Sequence, residues 1–142
     1  MPLPKARVSY LLLLGDFVFY LALFILAVWW RHDTVCVWGS AVAVPSFVLW
    51  FLAKLQLGGS FTPKPEAREL VTRGLYSRIR HPIYFFSTLA LVGIAICLRS
   101  WLFGAFLILS VPLQLWRIRM EDKVLREKFR DAYLVYKQRT WF

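Results

Sequence analysis

Residues 70–84 combine side chains that can do chemistry with the start of an apolar segment. Pro82 suits the first turn of a helix, because its missing N–H would be unpaired there in any case. His81 then lies at the N-cap, where free N–H groups and the positive end of the helix dipole favour anionic ligand groups. Tyr76 and Tyr84 offer ring faces that attract a cation. The plainer interpretation is a basic, aromatic anchor at a membrane interface, which many membrane helices have.

Arg117 and Glu121 form a second group of candidate functional residues. They are four residues apart, so they share one face of a helix. In a soluble helix this would be a surface ion pair worth ~0.3–0.5 kcal/mol. If the helix leaves a membrane at the depth of His81, one acidic and one basic group converge with two tyrosines. Such a set can hold a zwitterionic cofactor and an anionic substrate.

Four apolar segments must position these residues. A bilayer core of about 30 Å needs roughly 20 apolar residues in a helix, with about 17 as the lower limit. The sequence therefore predicts an all-α, polytopic membrane protein with one domain and four transmembrane helices, at about residues 8–30, 35–53, 82–98 and 100–116. A loop of residues 54–81 and a tail of residues 117–142 complete the chain.

The distribution of Lys and Arg predicts the orientation of these spans. With the N-terminus inside, two of these residues precede the first span, six lie in the central loop and eight in the tail. This places 16 of the 18 Lys and Arg residues on the cytoplasmic side and leaves Arg31 and Arg99 outside. Both termini are therefore expected in the cytoplasm, and function is expected at the inner face or within the bilayer.

Asp16 interrupts the first predicted span. A carboxylate at this depth costs roughly 2.5–3.5 kcal/mol on insertion scales. It either faces an internal polar pocket or is a protonated or paired carboxyl that holds two spans together. The sequence supports both interpretations equally.

The composition excludes some classes of function. The chain is 59% hydrophobic with a net charge of +10, and its charges avoid the long apolar runs. Anionic lipid headgroups, rather than nucleic acid, are therefore the expected counter-surface. Cys36 and Cys97 form no CxxC motif and accompany no cluster of His, so no metal site is predicted. Both would lie near the outer face, where a disulfide can form, but two free thiols packed among helices are the expected state.

The tail carries an apolar stripe on an otherwise basic segment. The stripe has helical spacing and consists of Leu125, Phe129, Ala132, Tyr133 and Tyr136. A basic amphipathic helix that follows a span usually lies on the membrane surface. The tail is therefore predicted to be a cytoplasmic interfacial helix.

Two motifs follow one another in the second half of the chain. The first is Leu-Val-Thr-Arg-Gly-Leu-Tyr at residues 70–76, with Arg-His-Pro-Ile-Tyr at residues 80–84. The second is the acidic pair Glu121-Asp122 with the aromatic and aliphatic residues Leu125, Phe129, Tyr133 and Tyr136. In order and spacing they resemble the isoprenylcysteine carboxyl methyltransferase family, integral membrane enzymes that use S-adenosylmethionine. The resemblance covers about residues 68–139.

The resemblance implies an S-adenosylmethionine site formed by Arg68, Glu69, Leu70, Val71, Tyr76, His81, Pro82, Ile83, Tyr84 and Glu121. It also implies that Arg117 binds a substrate carboxylate. A carboxylate nucleophile needs no base, whereas an amine acceptor requires one, and His81 is the available candidate. The expected activity is methyl transfer to the carboxylate of an isoprenylcysteine-like or other lipophilic substrate, with Arg117 and His81 as catalytic residues.

Other functions stay open at this point. The acceptor can instead be a phospholipid amine or a small thiol, because related membrane families share the motifs. Sterol reductases are similar around Arg-His-Pro-x-Tyr but have a C-terminal pattern that this tail lacks. A non-enzymatic membrane adaptor, whose basic tail binds anionic lipid, is the remaining alternative. An oligomer is possible, but nothing in the sequence supports it.

Overall fold

The computed structural model describes residues 5–57 and 70–141, and these residues contain four α-helices. They are α1 (Lys5–Trp30), α2 (Thr34–Leu57), α3 (Pro82–Leu98) and α4 (Trp101–Arg139). A short 3-10 turn, Gly74–Ser77, precedes α3. No strand occurs among the described residues, where the β-type contact is an isolated parallel bridge between Ile79 and Trp141. The predicted all-α class is confirmed.

Two of these helices, α2 and α4, are long and apolar enough to cross a membrane. The Phe17–Trp30 part of α1 and the whole of α3 are apolar but shorter. The apolar part of α4 has no buried residue, and its Ile108 and Leu109 side chains are 72% and 75% exposed. An uncovered apolar surface of this extent suits contact with lipid. Two of the four predicted spans therefore meet the length and hydropathy of a span, and the four-span topology stays a prediction.

Small residues bring α2 and α3 into backbone contact. A Cβ atom on Gly39 would lie 2.5 Å from the Gly93 carbonyl oxygen, and one on Gly93 would lie 2.6 Å from the Ala43 nitrogen. Helices in a membrane associate through such seams, because lipid supplies no hydrophobic force between them and close packing must replace it. The seam makes α2 and α3 the most extensively packed pair of helices in the described part of the chain.

A disulfide between Cys36 and Cys97 joins the first turn of α2 to the last turn of α3. The expectation of two free thiols was wrong, because the antiparallel seam brings these two turns together. An ion pair between Arg99 and Asp33, with 3.2 Å between Nη1 and Oδ2, ties the same ends. Asp33 also caps α2 by accepting a hydrogen bond from the Cys36 N–H at 3.0 Å.

The fourth helix continues well beyond the predicted membrane segment and bends sharply at Arg130, where φ is 40° and ψ is −111°. After the bend, Tyr133 and Tyr136 of the apolar stripe are buried, at 2% and 8% exposure. The stripe therefore packs in part against the protein itself. The position of the tail relative to a membrane surface stays a prediction.

Three of the residues singled out in the sequence lie outside this description. They are Arg68, Glu69 and the side chain of Asp16. The roles predicted for them are therefore untested.

Candidate active site at the start of helix α3

A glutamine from α2 holds the turn that leads into α3. The Gln56 Oε1 atom accepts a hydrogen bond from the Leu75 N–H at 2.8 Å. Gly74 has a φ of +61°, and a Cβ atom there would overlap the Gln56 carboxamide. Only glycine meets both conditions, because it tolerates positive φ and has no side chain. The glycine of the first motif thus positions the segment that carries the candidate site.

His81 occupies the predicted N-cap of α3, with Pro82 in the first turn. Its imidazole makes no cap hydrogen bond and instead faces α4. The Nε2 atom lies 2.8 Å from Oδ1 of Asp122, and the Nδ1 atom lies 3.7 Å from Oε2 of Glu121. With 6% exposure, the ring is held between two consecutive carboxylates.

Tyr84, one turn into α3, reaches the same part of α4. Its hydroxyl donates to Oε1 of Glu121 at 2.5 Å. The Arg117 Nε atom lies 3.7 Å from that oxygen, so the predicted pair four residues apart is formed. The Glu121 side chain is 27% exposed and therefore accessible to a ligand. The convergence that the sequence hypothesis requires, between the start of α3 and the exit of α4, is present.

Tyr76 faces the same group of residues from the 3-10 turn. It is 6% exposed, and burial together with the negative charge of Glu121 raises the pKa of its phenol well above its usual range. Val71 packs with Tyr76 and Ala53 in a small apolar cluster, against which Ile83 also packs. Val71 and Ile83 thus supply apolar surface beside Tyr76. Among the other predicted cofactor residues, Pro82 is fully buried and Leu70 is half-buried.

Asp122 is a central residue to which the sequence analysis assigned no role. Besides His81, it accepts a hydrogen bond from the Tyr133 hydroxyl, and its Oδ2 atom lies 3.5 Å from Nη1 of Arg80. Burial by itself would raise its pKa, but the hydrogen bonds from His81 and Tyr133 and the charge of Arg80 outweigh burial and lower it to about 2. Asp122 is therefore ionised at neutral pH. The available signal was its place in the acidic pair beside Glu121.

The tail folds back onto the segment before α3 and closes this side of the site. The Tyr136 hydroxyl donates to the Tyr76 carbonyl at 2.6 Å. The Trp141 N–H donates to the Arg78 carbonyl at 2.7 Å, and the Arg80 N–H donates to the Trp141 carbonyl at 3.4 Å. Burial raises the pKa of Tyr136 to about 12, so its hydroxyl stays a donor at neutral pH.

A further polar contact lies one turn deeper between α3 and α4. The Thr88 hydroxyl is 2.8 Å from Oε1 of Gln114. Gln114 is three residues before Arg117 and shares its face of the helix. Neither Thr88 nor Gln114 belongs to a motif, so the sequence offered no signal for this pair.

A family model of phospholipid methyltransferases matches residues 16–132 of the chain. The match begins within α1 and ends two residues after the bend at Arg130. It includes the 3-10 turn with Tyr76, the start of α3, and the part of α4 that carries Arg117 and Glu121. The chain belongs to the phospholipid methyltransferase family. This family is part of the isoprenylcysteine carboxyl methyltransferase-like group of membrane methyltransferases, so the resemblance found in the sequence is confirmed.

Two properties follow from membership of the phospholipid methyltransferase family. The chain is a membrane-associated methyltransferase, and enzymes of the family generally use S-adenosylmethionine. None of the curated proteins compared with the chain gives a match.

Proposed function

We propose that the chain transfers a methyl group from S-adenosylmethionine to the polar end of a lipophilic acceptor at the cytoplasmic membrane interface. The observation that carries the proposal is the meeting of His81, Tyr84, Arg117 and Glu121 where α3 begins and α4 continues beyond its apolar part. A lipid-like acceptor explains why such a site belongs on apolar helices, since the acyl or prenyl part can stay in the bilayer while the polar end reacts.

The proposed topology has four spans with the N-terminus inside. It rests on the asymmetry of 16 Lys and Arg residues against two. The Cys36–Cys97 disulfide supports it independently, because it lies at the end of the helices opposite to the basic segments. Disulfides persist in oxidising compartments and are rare in the cytosol. Placing the disulfide end of the helices on the outer side of the membrane thus agrees with both the distribution of Lys and Arg and the presence of the disulfide.

The chemistry of the side chains fits S-adenosylmethionine. Glu121 can accept hydrogen bonds from an ammonium or a ribose hydroxyl, and the ring faces of Tyr76 and Tyr84 suit a sulfonium cation. Arg80 Nε is buried and has no hydrogen-bond partner among the described residues, which leaves one donor for a carboxylate. Together with these groups, the proposal assigns the cofactor to His81, the backbone and side chains of residues 68–71, and the turn at Pro82 and Ile83. The bound cofactor would supply an electrophilic methyl group.

The work of the protein is then positioning and the exclusion of water. Arg117 can hold an anionic group of the acceptor bidentately, which fixes the attacking atom in line. Its Nε atom is 3.7 Å from Glu121, so acceptor and cofactor would be bound by neighbouring groups on one helix face. The apolar surface of Val71 and Ile83 would limit water beside Tyr76.

His81 has the geometry of a base if the acceptor is an amine. With the Nε2 proton donated to Asp122 at 2.8 Å, Nδ1 is the nitrogen left to take a proton. The ionised Asp122 would then stabilise the imidazolium that forms, since its pKa is about 2. A carboxylate acceptor would use Arg117 alone. The carboxylate remains our first candidate from the motifs, and the match to phospholipid methyltransferases favours the amine as second candidate.

The test of the site is calorimetry with S-adenosylhomocysteine on purified protein. We expect Glu121→Ala and His81→Ala to weaken binding about tenfold or more, because each removes a charge-assisted contact. Arg117→Ala should leave this affinity nearly unchanged and impair turnover. Arg119→Ala, an exposed residue on the same helix, is the matched control. Unchanged affinity in both of the first two variants would refute the assignment.

The acceptor is identified by labelled S-adenosylmethionine with two probes, a farnesylated cysteine and phosphatidylethanolamine. A methyl ester is lost in alkali, whereas a methylamine is stable. If the amine is the acceptor, His81→Ala should abolish product formation at saturating cofactor. Arg117→Lys should impair either reaction, because lysine cannot reproduce bidentate binding. A purely adaptor role would instead give no labelled product, and this variant would be harmless.

A further inference from the structure

A cavity lies at the opposite end of the helices from the candidate active site. It has a volume of about 600 Å³ and opens between the end of α1 and the start of α4. Its lining includes Trp30, Arg31, Arg99, Leu102 and Phe106. The two Lys or Arg residues that the charge count places apart from all the others, Arg31 and Arg99, are both among them.

The rim of this cavity is cationic. Arg31 is exposed and makes no ion pair with any residue in the described ranges 5–57 and 70–141. Arg99 forms an ion pair with Asp33, but 46% of its side chain remains exposed. The rim therefore carries a net positive charge. This charge is unused by the seam, by the disulfide or by the proposed methyl transfer.

Arg99 is also held in an unfavourable backbone conformation. It ends α3 in the left-handed region, with a φ of 49°. Glycine is the usual residue at this position of a helix end, because the Cβ atom of any other residue crowds the following carbonyl oxygen in the left-handed conformation. An arginine retained in this conformation indicates that its side chain has a role. One role is the ion pair with Asp33, and binding of a ligand in the cavity would be a second.

The wall of the cavity is apolar and faces outward. Leu102 and Phe106 are four residues apart on one face of α4 and are 63% and 58% exposed, and Trp30 on the α1 side is 74% exposed. The combination of an apolar cavity wall and a cationic rim fits the shape and charge of a membrane phospholipid. A phospholipid places its phosphate at the level of the helix ends and its acyl chains alongside the helices.

We propose that this cavity binds a phospholipid with a net negative charge, its headgroup against Arg31 and Arg99 and an acyl chain along Leu102 and Phe106. A zwitterionic lipid carries a cationic group that the rim would repel, so charge complementarity selects the anionic headgroup. The site is separate from the residues of methyl transfer. It requires membrane insertion but not the proposed reaction.

The experiment uses the full chain in phosphatidylcholine vesicles that contain phosphatidylglycerol with a photoactivatable group in its acyl chain. We expect adducts on residues 102–106, mapped by mass spectrometry, and competition by excess phosphatidylglycerol but not by phosphatidylcholine. Arg31→Gln should lower this labelling about fivefold, the effect of one arginine near an anionic lipid surface. Leu102→Trp should lower it by filling the cavity, without any change in charge.

Two control variants keep the result specific. Arg139→Gln removes an exposed charge at the other end of α4, and Leu109→Trp enlarges a side chain on α4 outside the cavity. Both should leave the labelling unchanged. Equal labelling by a phosphatidylcholine probe, or unchanged labelling in both Arg31→Gln and Leu102→Trp, would overturn the proposal. If labelling follows the expectation while no acceptor is methylated, the lipid site stands and the proposed reaction falls.

Discussion

The two ends of α3 are held in different ways. At its start, His81 and Tyr84 reach α4 through hydrogen bonds to ionisable side chains. At its end, Cys97 is bonded covalently to α2, and Arg99 pairs with Asp33. The two ends of α3 therefore serve different purposes. The end near the disulfide is held by a covalent bond and an ion pair, and the other end concentrates groups that can bind charge and move protons.

The seam between α2 and α3 connects these two ends. Because Gly39 and Gly93 bring the helices into backbone contact, α3 is fixed along much of its length. The helix that carries Glu121 and Asp122 depends far more on side-chain contacts. We therefore expect changes in the seam and at the disulfide to alter stability, and changes around Asp122 to alter stability and chemistry together.

The largest effect on stability is expected from removal of the disulfide. Cys36→Ser with Cys97→Ser should lower the free energy of unfolding by about 2–4 kcal/mol, because the bond closes a long loop in the unfolded chain. The two residues are separated by 61 positions. Affinity for S-adenosylhomocysteine should persist under mild conditions. Thermal unfolding in detergent measures the first quantity, and an equal loss of affinity in the folded variant would contradict the separation of the two ends.

The second effect concerns the seam. Gly39→Ala should cost about 1–3 kcal/mol, because the new Cβ would meet the Gly93 carbonyl and the helices would have to part. Gly104→Ala is the matched control, since no atom lies within 4 Å of a Cβ atom there. It should be neutral or stabilising by up to about 1 kcal/mol. Similar destabilisation by both substitutions would show that the close approach at Gly39 has no special weight.

The third effect concerns Asp122. Asp122→Asn should lower stability at neutral pH by about 1–3 kcal/mol, because His81, Arg80 and Tyr133 lose an ionised acceptor. It should also weaken binding of S-adenosylhomocysteine by releasing the imidazole of His81. Asp131→Asn, an exposed carboxylate on the same helix, is the control. Full stability in the Asp122 variant would contradict a stabilising role for this carboxylate.

The same carboxylate predicts an acid limit. Its pKa in the folded protein, about 2, lies below the ordinary value of 3.8, so its stabilising contribution is complete above pH 3.8 and is lost as the pH falls towards about 2. Unfolding measured across this range should show the loss in the wild type and a flatter profile in Asp122→Asn. Parallel profiles for the two proteins would contradict the assignment.

The smallest effect is expected from the contact that closes the tail. Tyr136→Phe removes the hydrogen bond to the Tyr76 carbonyl and should cost about 1 kcal/mol. Lys137→Gln, the exposed next residue, should change stability little. Hydrogen exchange at residues 76–80 should increase in Tyr136→Phe alone. Unchanged exchange there would mean that the tail is held by its other contacts.

Much of the local structure was predictable because local physics determines it. Pro82 cannot continue a preceding helix but suits a first turn, so the start of α3 was predicted at the residue where it occurs. The pair Arg117 and Glu121 follows from helical spacing alone. The resemblance carried by residues 70–84 and the acidic pair led to the family that the comparison confirms.

The missed features all depend on contacts between distant segments. The sequence shows that Cys36 and Cys97 lie near helix ends, but the close approach at Gly39 decides that they meet. It shows an acidic pair, but only the packing of the tail decides that Asp122 faces His81 and Tyr133. The positive φ of Arg130, which turns the tail back, has no signal in residue type.

The sequence by itself determined the helical class, the apolar segments, the charge asymmetry and several residues of the candidate site, among them His81, Tyr84 and Glu121, because periodicity, hydropathy and motif spacing are properties of the chain. The tertiary structure decided which side chains meet. It placed His81 between two carboxylates, closed the disulfide and opened a cavity beside Arg31. Each of these depends on the relative placement of whole helices. That placement is set by the close approach at Gly39 and Gly93 and by the bend at Arg130, which bring together segments that are distant in sequence.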